Sequence, residues 1–297
     1  MKHYLTEKDT LNDILSIAKP GDIIYLAKKH YHEKIKITTN DITIIGWGED
    51  SIIENKDYYN KIHADNKEYL TVRTYTLMVA ADNVRLENLI IKNLSVPNSV
   101  YGQAVALHVI GDNFKAIKVK LYGAQDTLLC GPIPDDLTVR YKNLLPLDEL
   151  SLKKSHQLYQ DCYIEGDVDF IFGSGISYFD NCEIHSIGHG YIAAPSHPSE
   201  YQFGFVFNNC KLTSAPNLDA DVYLGRPWRP YGAATFINCS LTSHIKQEGF
   251  HNWVKEREET CRFAIYKTLN SDNLVPFAKV LNENELTKYT LDNVMNS

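Results

Sequence analysis

Phe179-Asp180-Asn181-Cys182-Glu183-Ile184 returns as Phe207-Asn208-Asn209-Cys210-Lys211-Leu212, and again as Phe236-Ile237-Asn238-Cys239-Ser240-Leu241. Earlier forms are Tyr159-Gln160-Asp161-Cys162-Tyr163-Ile164 and Leu86-Glu87-Asn88-Leu89-Ile90-Ile91, with Ala116 to Leu121 a looser version that lacks the Asn. The shared phrase is an apolar residue, a spacer, Asn or Asp, a small residue, a spacer, then Ile or Leu. From Cys162 onward it recurs every twenty to thirty residues or so, a period that marks stacked supersecondary units. No helical pattern separates the phrases, which selects a β-solenoid over a βαβ array. In a parallel β-helix each phrase lies about 4.8 Å above the last. The Asn then marks a turn, and the Cys form an interior ladder of small apolar side chains. Cys162 and Cys182 fall on neighbouring coils, where an oxidising setting could bridge them and a reducing one keeps them as thiols.

The flanks agree with this reading. Leu11, Ile14, Leu15 and Ala18 make one apolar helical face, stopped by Pro20-Gly21-Asp22. Short β-branched segments follow, such as Ile23-Ile24-Tyr25-Leu26 and Ile42-Thr43-Ile44-Ile45. The expected architecture is therefore all-β, a parallel β-helix with a short N-terminal helix, in a single domain over residues 1–297. At 297 residues with 44% apolar and 23% charged residues, the chain has an ordinary globular composition. The net charge of -7 speaks against nucleic acid as a partner, since that binding rests on Lys and Arg neutralising phosphates. No run of eighteen apolar residues exists to form a membrane-spanning helix. Met1 to Asp13 carries charges throughout and no apolar core of a secretory signal, so the expected location is cytoplasmic, with a secreted protein whose leader was removed as the alternative.

Several chemistries lack their signals. There is no G-x-S-x-G elbow for a serine hydrolase and no glycine-rich phosphate loop. No C-x-x-C pair offers a zinc site, and His185, His189 and His197 in a Gly/Pro-rich stretch read as solvated loop histidines. His30 and His32, on either side of Tyr31 and on one strand face, read as surface residues.

Four phrases remain: Gln103-Ala104-Val105-Ala106-Leu107, Gln125-Asp126-Thr127-Leu128, Asp169-Phe170-Ile171-Phe172-Gly173 and Leu224-Gly225-Arg226-Pro227-Trp228. Singly, each has a structural explanation, as turn former, surface charge or core residue. Stacked on neighbouring coils they make a hydrolytic set. Asp169 among Phe and Ile is costly as a bare anion, and Arg226 can pair with it and hold it ionised as a nucleophile. Asp126 beside that charge has its pKa raised and stays protonated as an acid. Gln103 and Gln125 can donate amide N–H bonds to an oxyanion, and Trp228 can stack on a sugar ring.

In this order the four blocks resemble the signature blocks of the pectinesterases, a family of right-handed parallel β-helices. The likeness runs from about Asp22 to Ile265, and Cys162 to Gly173 is its most distinctive stretch. The resemblance implies removal of the C6 methyl ester from galacturonate units of pectin or methylated oligogalacturonides, with release of methanol. It implies Asp169 as nucleophile, forming an acyl-enzyme anhydride, and Asp126 as the acid and then the base. Gln103 and Gln125 would stabilise the oxyanion, Arg226 would hold Asp169, and Trp228 and Phe172 would line the sugar cleft. It implies no metal and no organic cofactor.

The chain also departs from the family pattern. The early G-x-Y-x-E block reads Lys29-His30-Tyr31-His32-Glu33, Leu129 stands where an aromatic commonly follows QDTL, and Phe250 replaces a common Trp in Gly249-Phe250-His251-Asn252-Trp253. Asp126 and Asp169 lie 43 positions apart, about one coil more than in the simplest members. The surplus, residues 131–154, carries three prolines and few strand signals, and reads as an ordered loop projecting over the cleft. An added coil would instead draw the two carboxyls apart by about another 4.8 Å. Such a loop can close one end of the cleft and favour short oligomers. Three other readings are a related esterase or thioesterase, a silent glycan-binding β-helix, and a pectate lyase. Arg226-Pro227-Trp228 argues against the first, the retained Asp126, Asp169 and Arg226 against the second, and the missing calcium-type acidic cluster against the third.

Overall fold

The computed structural model describes residues 1–146, 149–150 and 153–297. Parallel strands stack on three faces. One face is an eleven-stranded sheet running from Lys2–Tyr4 to Ala278–Val280, every neighbour parallel. The other two faces are ladders that merge in the long strands Tyr163–Gly173 and Glu183–Pro195, whose first halves pair on one face and second halves on the other. This is a parallel β-helix, and no helix among the described residues is long and apolar enough to cross a membrane.

The repeated phrase works as its composition requires. Its turn residue is left-handed in coil after coil: φ is 55° at Asn88, 54° at Asp161, 52° at Asn181, 53° at Asn209 and 51° at Asn238. Asn and Asp tolerate that region because their short polar side chains bond locally. The looser version places Lys118 there at 53°. The leading apolar residue builds an aromatic stack inside the solenoid. Ring centroids are 4.8 Å apart for Tyr159–Phe179, 4.6 Å for Phe179–Phe207 and 4.3 Å for Phe207–Phe236. The Cys column lies beside it: Cys162, Cys182, Cys210 and Cys239 are all buried thiols. Each of the last three donates to a main-chain carbonyl one coil below, at Tyr159, Phe179 and Phe207 respectively.

Both ends are closed. The helix Leu11–Ile17, capped by the Thr10 side chain, plugs the first coil with a fully buried Leu11. Glu33 accepts from the Leu11 and Asn12 amides at 3.0 Å each, so the last residue of the Lys29–Glu33 block holds a helix terminus and the block is structural. At the other end the tail folds back as the helices Glu283–Leu286 and Leu291–Met295. Val294 and Leu281 join Tyr178, Val206 and Ala264 in a second apolar cluster. The sequence showed the N-terminal helix and not these, because helices of four and five residues are too short to set an apolar period.

The segment 131–154 corrects one expectation and keeps another. It adds no coil: Leu128–Cys130 pairs directly with the strand bearing Asp169. It is more than a loop, however, since Asp135–Tyr141 is helical, with Asp135 and Asp136 in its first turn and Arg140 in its last. Tyr141, Leu145, Leu150 and Ile133 bury themselves with Leu129 and Phe172. Residues 147–148 and 151–152 of this segment lie outside the described residues.

Candidate active site

The register puts the two aspartates side by side. Leu128 pairs with Ile171, so two residues earlier Asp126 faces Asp169 across neighbouring coils, and the Asp126 amide donates to the Val168 carbonyl at 3.1 Å. Both residues are left-handed, at φ 67° and 51°. The strand around Asp169 breaks register between Gly166 and Val168 and again between Val168 and Ile171. Such bulges re-aim a side chain, and strained backbone of this kind costs about 1–3 kcal/mol per residue.

Arg226 lies two coils further on. Its Nε donates to Asp169 Oδ1 at 2.9 Å and its Nη2 to Oδ2 at 2.7 Å, a bidentate pair. Two rings flank the guanidinium: its carbon is 3.9 Å from the Tyr191 centroid and 4.0 Å from that of Trp253. Neither ring was singled out from the sequence. Trp253 stands in the quoted Gly249–Trp253 phrase, and the signal that could have found it was an aromatic next to a block that departs from the family.

Electrostatics separate the two carboxyls. Each aspartate is 8% exposed. Burial pushes the Asp126 carboxyl well above the usual carboxylate range, and the nearby Asp169 adds to it. The direction matches the sequence reading, but the leading cause is desolvation and not the neighbouring charge. Burial also raises Asp169, while the hydrogen bonds and charge of Arg226 pull it back. Asp126 is therefore the better proton holder and Asp169 the better anion. Asp167, buried and raised by desolvation, is a further carboxyl whose charge bears on Asp126.

All seven residues expected from the sequence line one cavity of about 360 Å³: Gln103, Gln125, Asp126, Asp169, Phe172, Arg226 and Trp228. Phe172 and Trp228 meet edge to face at 5.7 Å. Leu129 also lines it, as do Tyr59 and, from the inserted segment, Leu137, Arg140 and Tyr141. Arg229 ties that segment down through a bidentate pair to Asp136 at 2.9 and 2.7 Å. His197 corrects another expectation. It is 1% exposed, not solvated, and burial lowers its pKa to about 3. Its ring bonds the Gly175 carbonyl at 3.0 Å and the Ala233 amide at 3.3 Å, as a core histidine does. His185 and His189 lie on the strand Glu183–Pro195 and not in a loop.

Comparison with known proteins extends this geometry. The pectinesterase family model matches residues 2–131 and 139–273, skipping only part of the inserted segment within that span. Pectinesterase 1 of Olea europaea is 33% identical over 275 residues, covering 89% of this chain and 67% of its own length. A pectin methylesterase from Yersinia enterocolitica superposes with a TM-score of 0.78 at 25% identity, over 97% of this chain and 99% of its own. A pectin methylesterase solved in complex with a hexasaccharide superposes at 0.81 with 22% identity, over 99% of this chain and 97% of its own.

Proposed function

The chain belongs to the pectinesterase family, and from that premise we propose how its cleft carries out the hydrolysis of pectin methyl esters. The ionised Asp169 attacks the ester carbonyl carbon. The carbonyl electron pair moves onto oxygen, where the Gln103 and Gln125 amides donate to it. As the tetrahedral species collapses, Asp126 gives its proton to the departing methoxy oxygen and methanol leaves. An anhydride between Asp169 and the galacturonate carboxyl remains. Asp126, now a carboxylate, takes a proton from water, which attacks the galacturonate carbonyl and returns Asp169 as an anion. The sum is ester plus water to acid plus methanol.

The observation that carries this assignment is the bidentate Arg226–Asp169 pair beside a buried carboxyl, Asp126, whose pKa burial raises. Two carboxyls with pKa values pushed to different heights are an acid and a nucleophile in one site. The test is methanol release from methylated galacturonate oligomers. Asp169→Ala should abolish it and Asp126→Asn should lower it by several orders of magnitude. Asp169→Ala retaining more than about a hundredth of the wild-type rate would call for a different nucleophile.

The substrate pool proposed here is short methylated oligogalacturonides, as well as longer pectin. It is supported by the inserted helix Asp135–Tyr141, which supplies a wall of the cleft and is pinned to it by Arg229. A cytoplasmic location belongs to the same proposal, because short oligomers and not the polymer enter a cell. Cell fractionation with an antibody to the chain tests it, and recovery from the medium alone would reverse it.

A further inference from the structure

We propose that His30, His32 and Glu54 form a divalent metal site of the zinc class, remote from the catalytic cleft, that pins the edge strand of the solenoid. The cluster comes from two coils. His30 lies in the strand Lys29–Tyr31, which is the edge strand of its sheet, and His32 follows just beyond it. Alternate residues of an extended segment share a face, so the two imidazoles point the same way. Glu54 lies in the next strand, Ser51–Asn55, where the register of His30 with Ile52 carries His32 opposite Glu54.

The donor atoms converge on one point. His30 Nδ1 is 2.9 Å and His32 Nδ1 3.1 Å from the same oxygen, Glu54 Oε1, and the three atoms lie within 4.8 Å of one another. Zinc bonds to imidazole nitrogen and carboxylate oxygen are about 2.0–2.2 Å, so tetrahedral donors stand about 3.4 Å apart. The two histidine–glutamate separations need to open by only a few tenths of an ångström. The imidazoles have that freedom, since the His30 and His32 side chains are 54% and 73% exposed, which also leaves the outer coordination positions to water.

Charge favours a cation there. Glu54 is 6% exposed, and a buried carboxylate requires a partner. Among the described residues no lysine or arginine pairs with it. Lys92, in register on the next coil, holds its ammonium over the Tyr122 ring at 5.0 Å. Imidazole ligates metal in its neutral form, so a bound ion would bring its own positive charge directly to the Glu54 carboxylate. An edge strand has a hydrogen-bonded neighbour on one side only, and a metal shared between the two strands would fasten it.

Isothermal titration of the full chain, untagged and stripped with a chelator, with zinc chloride tests this. One equivalent should bind with a Kd of about 10 µM or tighter. Loss of even an outer partner of a metal ligand costs about 10–100-fold in affinity, so His30→Ala and His32→Ala should each weaken binding at least about tenfold. Zinc should raise the Tm of wild type and not that of His32→Ala, while methanol release by His32→Ala stays at the wild-type rate. Glu54→Gln should also weaken binding. Should that buried substitution unfold the chain, the His30→Ala/His32→Ala pair decides, because both side chains are largely exposed. No saturable one-to-one binding below about 1 mM, or equal affinity in wild type and the double variant, would overturn the proposal.

Discussion

The guanidinium carbon of Arg226 rests 4.0 Å from the ring centroid of Trp253, on the arginine that grips Asp169 with two hydrogen bonds. Stacking on an aromatic face is worth about 0.5–2 kcal/mol to a guanidinium. Trp253→Leu should therefore loosen that grip and lower kcat/KM for methanol release by about 3–30-fold. Because Arg226 is what draws the Asp169 carboxyl down, the acid limb of the pH–rate profile should also move to higher pH. An unchanged acid limb would make Trp253 a wall of the cleft and nothing more.

Asp126 gives a stability prediction with a definite sign. Its carboxyl is raised by burial well above the ordinary 3.8 in the folded chain, so the unfolded chain gives up its proton first. That costs stability progressively as pH rises above about 3.8, and costs nothing below it. Asp126→Asn should therefore raise the Tm at pH 7, with the gain shrinking toward zero as pH falls below the ordinary carboxylate value. A gain that grew toward acid would contradict the raised pKa.

Gln103 and Gln125 line the cleft with the two aspartates. A donor aimed at a developing oxyanion acts mostly in the transition state, so Gln103→Ala should lower kcat by about 10²–10³ with little change in KM. A change confined to KM would make Gln103 a contact to bound substrate instead.

Chain-length preference should depend on the inserted segment. Wholesale replacement of 133–152 by a flexible linker would strip Ile133 and Tyr141 from the cluster under Leu129 and Phe172, so a milder change is the cleaner probe. Asp136→Ala removes the tie to Arg229. It should raise the ratio of activity on long pectin to that on short oligomers, while activity on the shortest substrates stays within about tenfold. If wild type treats both alike, the segment does not select for length.

The aromatic stack sets the interior spacing, with Phe207 between Phe179 at 4.6 Å and Phe236 at 4.3 Å. Phe207 is fully buried, and truncating such a residue costs about 3–5 kcal/mol. Phe207→Ala should lose stability on that scale in a denaturant titration, whereas Phe207→Leu should lose less.

What the sequence revealed follows a physical division. The Asn and Cys positions were legible because every coil repeats the same demand, a left-handed corner and a small inward side chain. Asp126, Asp169 and Arg226 were legible because their blocks are contiguous and rare. Helix Asp135–Tyr141 was missed because Pro132 and Pro134 just before it and its own paired aspartates also suit a loop. Leu137 and Tyr141 supply only one i, i+4 pair, too little to set a period. The burial of His197 was missed because it depends on main-chain partners at Gly175 and Ala233, which no local composition reports. The rings around Arg226 escaped for the same reason, since Tyr191 and Trp253 reach it from different coils.

Gln103, Asp126 and Asp169 stand on three successive coils and Arg226 two coils beyond, each contributing a part that the others do not duplicate. In a stacked array, stability is a sum of unit and nearest-neighbour terms, and partly melted states are accessible below the midpoint. Activity is a stricter witness than any bulk signal of β-structure, because a single displaced coil between Gln103 and Arg226 silences the site while most of the array persists. Thermal inactivation should thus precede the loss of far-ultraviolet circular dichroism, and the gap between the two temperatures measures how independently those coils come apart.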